Sequence, residues 1–310
     1  MNNLKISSSP HIKCPRTTRG IMTDVLIALI PTTVAGTVIF GPRSIYVCIA
    51  AVVSCMLSEW LFCLITKRKN TVSDMSAAVT GLLLALNLPA STPIWQTVLG
   101  SVFAIIAVKC VFGGLGQNFA NPAITARIFM LLAFNNIGKA VPLPAFWPDS
   151  VTGATPLVSL KGGEPVELLD LFIGNKGGAI GEVCAAAIII GAVYLLAKRV
   201  IKPAAPLSFI LTVFAASLIL ERGDFYLALA WILSGGLMLG AFFMATDYVT
   251  TPSTELGRLI FGVGAGLITV AIRFAGSYPE GVSFGILVMN ILTPFIDKLT
   301  LRKPFGGDKR

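Results

Sequence analysis

The sequence predicts an all-α polytopic membrane protein of about ten transmembrane helices in two five-helix halves, and three observations carry that prediction. Apolar residues fill 55% of the 310 positions and charged residues only 13%. Mean hydropathy is +0.82, whereas a soluble domain carries about 25% charged residues. The apolar residues gather in runs, most of them long enough to cross ~30 Å of hydrocarbon at ~1.5 Å per residue. Short polar or glycine–proline breaks separate the runs, apart from one long polar connection in the middle.

Residues 1–20 read as a basic tail with Lys5, Lys13, Arg16 and Arg19. No Ala-x-Ala site follows it, so no cleavable signal sequence is expected. The first membrane half, 21–135, opens with a run at 21–40, which Pro31 should kink. Gly41 and Pro42 turn the chain into a run at 45–66 that closes on Lys67, Arg68 and Lys69. The third run, 76–88, is stopped by Pro89 after too few residues for a straight crossing, and predicts a short or broken helix. Runs at 94–112 and 121–134 follow. Between them, Gly113, Gly114 and Gly116 make either a tight loop or a place where backbone closely approaches a neighbour or ligand.

Residues 136–178 form the long polar connection, and loops of that length are usually functional or disordered. The second membrane half, 179–299, holds runs at 179–197, 205–220, 225–245, 256–272 and 281–299, and residues 300–310 are a basic tail. Five spans on each side of the connection imply halves inverted relative to each other, because five is odd. With alternating sides, seventeen of the 24 Lys and Arg fall with the termini, Lys109 among them. Six, including Arg273, fall on the other side, and Arg127 lies inside a span. The positive-inside rule then puts both termini in the cytoplasm and the long connection on the outer face of the inner membrane. The net charge of +9 is read as this topology signal, not as the mark of a nucleic-acid partner.

The six cysteines show no Cys-x-x-Cys pair and the only histidine is His11, so metal-ligand spacing is absent. Charges inside or at the ends of spans are more informative: Glu59, Arg127, Asp247 and Asp297. Such a group costs at least about 2.5–3.5 kcal/mol and normally pairs, lines a cavity, moves an ion or snorkels to the interface. Asn118, Asn121 and Asp247 fall together at the ends of spans.

The most distinctive stretch is Asp149-Ser150-Val151-Thr152-Gly153-Ala154-Thr155-Pro156-Leu157. Its composition alone would make a turn after Pro148. Its order, Asp-x-x-Thr-Gly-Ala-Thr, points further, because the small residues before the Thr155 hydroxyl leave the backbone open to an approaching enzyme. The stretch resembles the flavinylation motif, in which a transferase joins the phosphate of FMN to the last threonine. That resemblance makes Thr155 the attachment residue and Asp149, Thr152, Gly153 and Ala154 recognition positions for the flavin transferase.

Along most of its length the chain is similar to the NqrB/RnfD family. The similarity rests on Ser58-Glu59-Trp60-Leu61-Phe62, on 81–86, on the stretch from Gly113 to Ala123, on the motif ending at Thr155, and on 244–252. The family often has Asp-Pro where this chain has Asp247-Tyr248. The NqrB branch normally carries an N-terminal extension, and its absence here favours the Rnf branch.

The resemblance implies a subunit, not catalytic alone, of a complex that couples electron flow between ferredoxin and NAD⁺ to Na⁺ or H⁺ movement. It implies FMN on Thr155, other Rnf subunits as partners in the bilayer, and a second, non-covalent flavin, riboflavin, for which Asn118, Asn121 and Asp247 offer hydrogen-bonding groups. Glu59, Asp247 and Asp297 become ion-coupling candidates, since a buried acid can bind sodium or carry a proton. Rival readings are the B subunit of the related NADH:quinone reductase, or a secondary transporter or channel, for which inverted halves and broken helices are equally expected. A transporter, however, has no use for the flavin motif.

Overall fold

The computed structural model describes residues 16–134, 141–142, 144, 152–153, 155–276 and 280–301. The described chain is helical apart from one two-residue antiparallel pairing. Its first half contains α1 (Thr18–Phe40), α2 (Pro42–Ile65), α3 (Ser76–Leu86), α4 (Ile94–Val102, continued as a π-helix over Phe103–Cys110) and α5 (Pro122–Ala133). The central connection holds β1 (Val141–Pro142), β2 (Thr152–Gly153), α6 (Pro156–Lys161) and α7 (Leu168–Ile173). The second half contains α8 (Ala185–Ala197), α9 (Ala204–Leu220), α10 (Phe225–Leu233), α11 (Leu237–Leu239, continued as a π-helix over Gly240–Met244), α12 (Glu255–Ala275) and α13 (Val282–Thr300).

Local chemistry sets the helix starts. The Thr17, Asn121, Asp224 and Thr254 side chains accept backbone N–H groups at the heads of α1, α5, α10 and α12. Pro42, Pro122 and Pro156 occupy first-turn positions, where no N–H is needed. Among the described residues α1, α2, α12 and α13 are long and apolar enough to cross a membrane, and α10 with α11, bent by 65° at their break, makes either a fifth, broken span or a re-entrant loop. Val38, Ile65, Ile219 and Leu299 are more than two-thirds exposed, as suits side chains meeting lipid. The chain is an integral membrane protein.

Helices approach closely where side chains are small, as membrane packing without a hydrophobic drive between helices requires. A Cβ at Gly81 would stand 2.7 Å from the Ala51 carbonyl oxygen, and one at Gly285 2.7 Å from that of Ala265. Gly191 leaves similar room for the backbone of Ala28, and Gly262 for Ser208 and Ala205.

Two runs expected to be continuous helices are broken. The run 179–197 is helical only from Ala185, and 225–245 breaks at Ser234–Gly236. The short third run is as expected, ending at Leu86. Backbone groups freed at a break inside a membrane must be satisfied within the protein, and here they are. Ile180 N–H donates to the Leu88 carbonyl at 3.0 Å and Gly181 N–H to that of Leu86 at 2.7 Å, so the unwound lead into α8 and the end of α3 complete each other. At the α10–α11 bend, Arg273 donates through Nη1 to the Trp231 carbonyl at 2.6 Å and through Nη2 to that of Ser234 at 3.0 Å.

Candidate functional site

The Thr155 segment is anchored on the membrane domain. Leu157, Leu160, Val166 and Leu171 pack with Ala230 and Trp231 of α10 into a small second core. The Tyr226 hydroxyl donates to the Val166 carbonyl at 3.0 Å, and Lys161 Nζ to that of Gly276 at 2.6 Å. Immediately upstream, β2 pairs Gly153 with Val141 and Thr152 with Pro142. Thr155 precedes α6 in an extended conformation and makes no side-chain cap bond. Its hydroxyl oxygen is buried and has no hydrogen-bond partner among the described residues. Asp149 and Ala154, and the side chain of Thr152, lie outside the described residues.

Asn118, Asn121 and Asp247 do converge. They line one narrow cleft, about 70 Å³ in volume, together with Ser76, Lys109 and Phe243. The cleft shares Thr246, Asp247 and Tyr248 with a neighbouring pocket that reaches Arg258 in the first turn of α12, whereas Lys161 of the Thr155 segment bonds Gly276 past its last, so a 21-residue helix of about 30 Å lies between them. Asn121 is also a structural cap. Its Oδ1 accepts from Ala123 N–H at 3.0 Å and its Nδ2 donates to the Met244 carbonyl at 3.3 Å. Asn118 Nδ2 donates to the Ala120 carbonyl at 3.0 Å. Asp247 accepts from the Thr250 hydroxyl at 3.0 Å, and burial pushes its carboxyl above the usual range against the opposing pull of that bond.

Of the other acids expected to couple ions, Asp297 accepts from Ser253 N–H at 2.9 Å and from its hydroxyl at 3.0 Å, fastening the loop before α12 to α13. Glu59 is buried and salt-bridged. Lys109 Nζ donates to its Oε1 at 2.9 Å, to its Oε2 at 3.0 Å and to Ser76 Oγ at 2.7 Å, while Thr71 Oγ1 donates to Glu59 Oε1 at 2.7 Å. Lys109 is therefore not the loop charge that the side-counting made it, because the π-helical turns of α4 carry it inward. Arg273, counted on the other side, is likewise 1% exposed. Removing one charge from each side leaves the imbalance in place.

Arg127 finds its partner in Glu280, Nη2 to Oε2 at 2.8 Å. Glu280 and Glu182 were not singled out in the sequence. Each stands next to a glycine at the edge of an apolar run, a signal too weak to find them.

Comparison with known proteins gives this arrangement a family. The model of the NQR2, RnfD, RnfE family matches residues 5–306, and the chain belongs to that family of membrane subunits. It is 44% identical, over 99% of its length and 96% of the relative's, to the D subunit of the Na(+)-translocating ferredoxin:NAD(+) oxidoreductase complex of Acetobacterium woodii. It is 38% identical to the D subunit of the proton-translocating ferredoxin:NAD(+) oxidoreductase complex of Clostridium ljungdahlii, over 98% of this chain and 97% of that one. It is 36% identical to the D subunit of the ion-translocating oxidoreductase complex of Escherichia coli O7:K1, over 98% and 99%.

Proposed function

We propose that this chain is the D-type membrane subunit of an ion-translocating ferredoxin:NAD⁺ oxidoreductase, relaying electrons through FMN held as a phosphoester on Thr155. The observation that carries the reading is a complete Asp-x-x-Thr-Gly-Ala-Thr motif ending in a hydroxyl that the fold buries without a partner among the described residues. An unmade hydrogen bond in a buried hydroxyl costs about 1–3 kcal/mol, and converting that oxygen to a phosphoester removes the unsatisfied donor. Bound there, FMN would supply one- and two-electron chemistry. The chain's own part is to fix the attachment point, through the Leu157–Trp231 contact region and the Tyr226 and Lys161 bonds. Both termini lie in the cytoplasm and the Thr155 segment on the outer face, following the Lys/Arg imbalance.

Thr155→Val keeps the shape and removes the nucleophile. The variant should insert and assemble, yet show no flavin fluorescence after denaturing electrophoresis. A flavin-bearing peptide that excludes Thr155 would overturn the assignment. Thr152→Val keeps the acceptor and should give partial labelling, if the transferase reads that side chain.

A second flavin, riboflavin, is assigned to the cleft at Asn118, Asn121 and Asp247, a reading favoured by the convergence of those three side chains on one cleft. Asn121→Leu should lower the flavin released by acid precipitation; unchanged release would reduce Asn121 to the helix cap it also is. Na⁺ or H⁺ transport is assigned to Glu59 and Asp247, with Asp297 at the same membrane face. Glu59→Gln should impair ion transport more than electron transfer.

A further inference from the structure

The bend between α10 and α11 gathers polar groups that neither flavin reading uses. Gly236 has no side chain, and the point where its Cβ would stand is ringed by oxygens from three other segments. Glu280 Oε1 is 2.9 Å from it, Glu182 Oε2 3.8 Å and Asn87 Oδ1 3.9 Å. The two carboxylate oxygens cannot be farther apart than the first two distances together. Like charges gathered in one buried place disfavour joint ionisation.

The surroundings define which ligand the place suits. Arg127 binds Glu280, whereas Glu182 has no salt-bridge partner among the described residues. The charged groups facing the pair are Arg127 from α5, Arg273 from α12 and Lys176 from the connection before α8. Those cations oppose a metal ion. Several buried groups at the bend also lack hydrogen-bond partners among the described residues: the Ser234 hydroxyl, which lines a small cavity with Glu182 and Lys176, Arg127 Nε and Nη1, and Arg273 Nε. Their residues are 1%, 4% and 1% exposed. Unused donors suit solvent rather than a metal, and Glu182, the carboxylate without a salt bridge among the described residues, is the acceptor beside them.

We propose that Glu182 and Glu280 form a proton-binding site at the α10–α11 bend, with one exchangeable proton held on Glu182 beside the Arg127-bound Glu280, within a surround completed by Asn87 and Ser234. The proton comes from water and returns to it. Uptake forms one O–H bond on a carboxylate oxygen, and release breaks that bond, with no electron moved. The cavity bounded by Pro156, Lys176 and Gly177 places the exchange path against the Thr155 segment, but the site stands whatever Thr155 carries.

Infrared difference spectroscopy of the purified complex, stepped in pH, tests this. A protonated-carboxyl C=O band should titrate in the parent protein and be lost in Glu182→Gln. Glu280→Gln also frees Arg127, so Gly236→Ala serves as the gentler second variant. Its methyl group would meet only the movable Glu280 carboxylate at close range, leaving the backbone in place, and should shift the midpoint of the same band. Thr155→Val should leave the band unchanged. Persistence of the titrating band in Glu182→Gln, or an unmoved midpoint in Gly236→Ala, would overturn the proposal.

Discussion

Lys109→Met tests how much of this fold depends on charge neutralised inside it. The Lys109 and Glu59 side chains are each 2% exposed, and the ammonium group makes three bonds, two to Glu59 and one to Ser76. Because Glu59 is on α2, Ser76 on α3 and Lys109 on the π-helical part of α4, one cation ties three helices. Removing it leaves a buried carboxylate with only the Thr71 hydroxyl, and breaking a buried pair in this way costs about 3–5 kcal/mol. Protonation of Glu59 caps the loss. In Lys109→Met/Glu59→Gln no charge is stranded, and replacing a whole buried pair is often nearly neutral, so most of the stability should return. Equilibrium unfolding in mixed micelles of the parent, Lys109→Met, Glu59→Gln and the double variant gives the four free energies that the cycle needs. A single-variant loss below about 1 kcal/mol, the range of exposed pairs, or a double variant as unstable as the single, would refute the reasoning.

Two further outcomes follow from other buried groups. Arg273→Leu removes the donors to the Trp231 and Ser234 carbonyls; at about 1–3 kcal/mol for each stranded acceptor, it should destabilise by several kcal/mol, whereas an unchanged unfolding midpoint would mean that solvent caps the bend. Asp247 has a carboxyl pKa raised by burial, so the folded protein holds this proton more tightly than the unfolded chain. Stability therefore falls as pH rises from the ordinary carboxylate range through the raised value, and stays lower above it. Asp247→Asn should abolish that fall and raise the melting temperature at neutral pH, and a melting profile parallel to the parent's would contradict this.

The spans were legible because burial in lipid writes itself into continuous apolar runs. Even the short third helix showed, through Pro89. What stayed hidden were places where the backbone leaves the helix without leaving the membrane. Gly235 and Gly236 interrupt an apolar run without changing its average hydropathy, so 225–245 reads as one span although it bends by 65°. Lys109 and Arg273 sit near the ends of their runs, where a cation normally reaches water; only the π-turns of α4 and the extension of α12 to Ala275 turn them inward. Asn118, Asn121 and Asp247 were readable as a set, since each lies at a helix end on one face of the membrane. No periodicity could pair Arg127 with Glu280, which is 153 residues away.

The breaks and the buried charges are one phenomenon. Unwinding a helix in hydrocarbon exposes carbonyl and N–H groups that must find partners; Arg273 serves that need at the α10–α11 bend, and the backbone of Ile180 and Gly181 serves it at the end of α3. Arg273 needs counter-charge in turn, which Glu280 chiefly supplies, and Glu280 is also bonded to Arg127. Once such a network exists, the places free to exchange a ligand are those where its bonds are not all made. At the other end, the side-chain amides of Asn118 and Asn121 already hold backbone carbonyls, so a ligand there competes with the fold. On the side of the bend, the Thr155 hydroxyl, the Ser234 hydroxyl and Arg127 are buried without a full set of partners among the described residues. Covalent attachment and proton exchange are therefore expected at the same end of the molecule, where satisfying those groups stabilises the fold instead of breaking it.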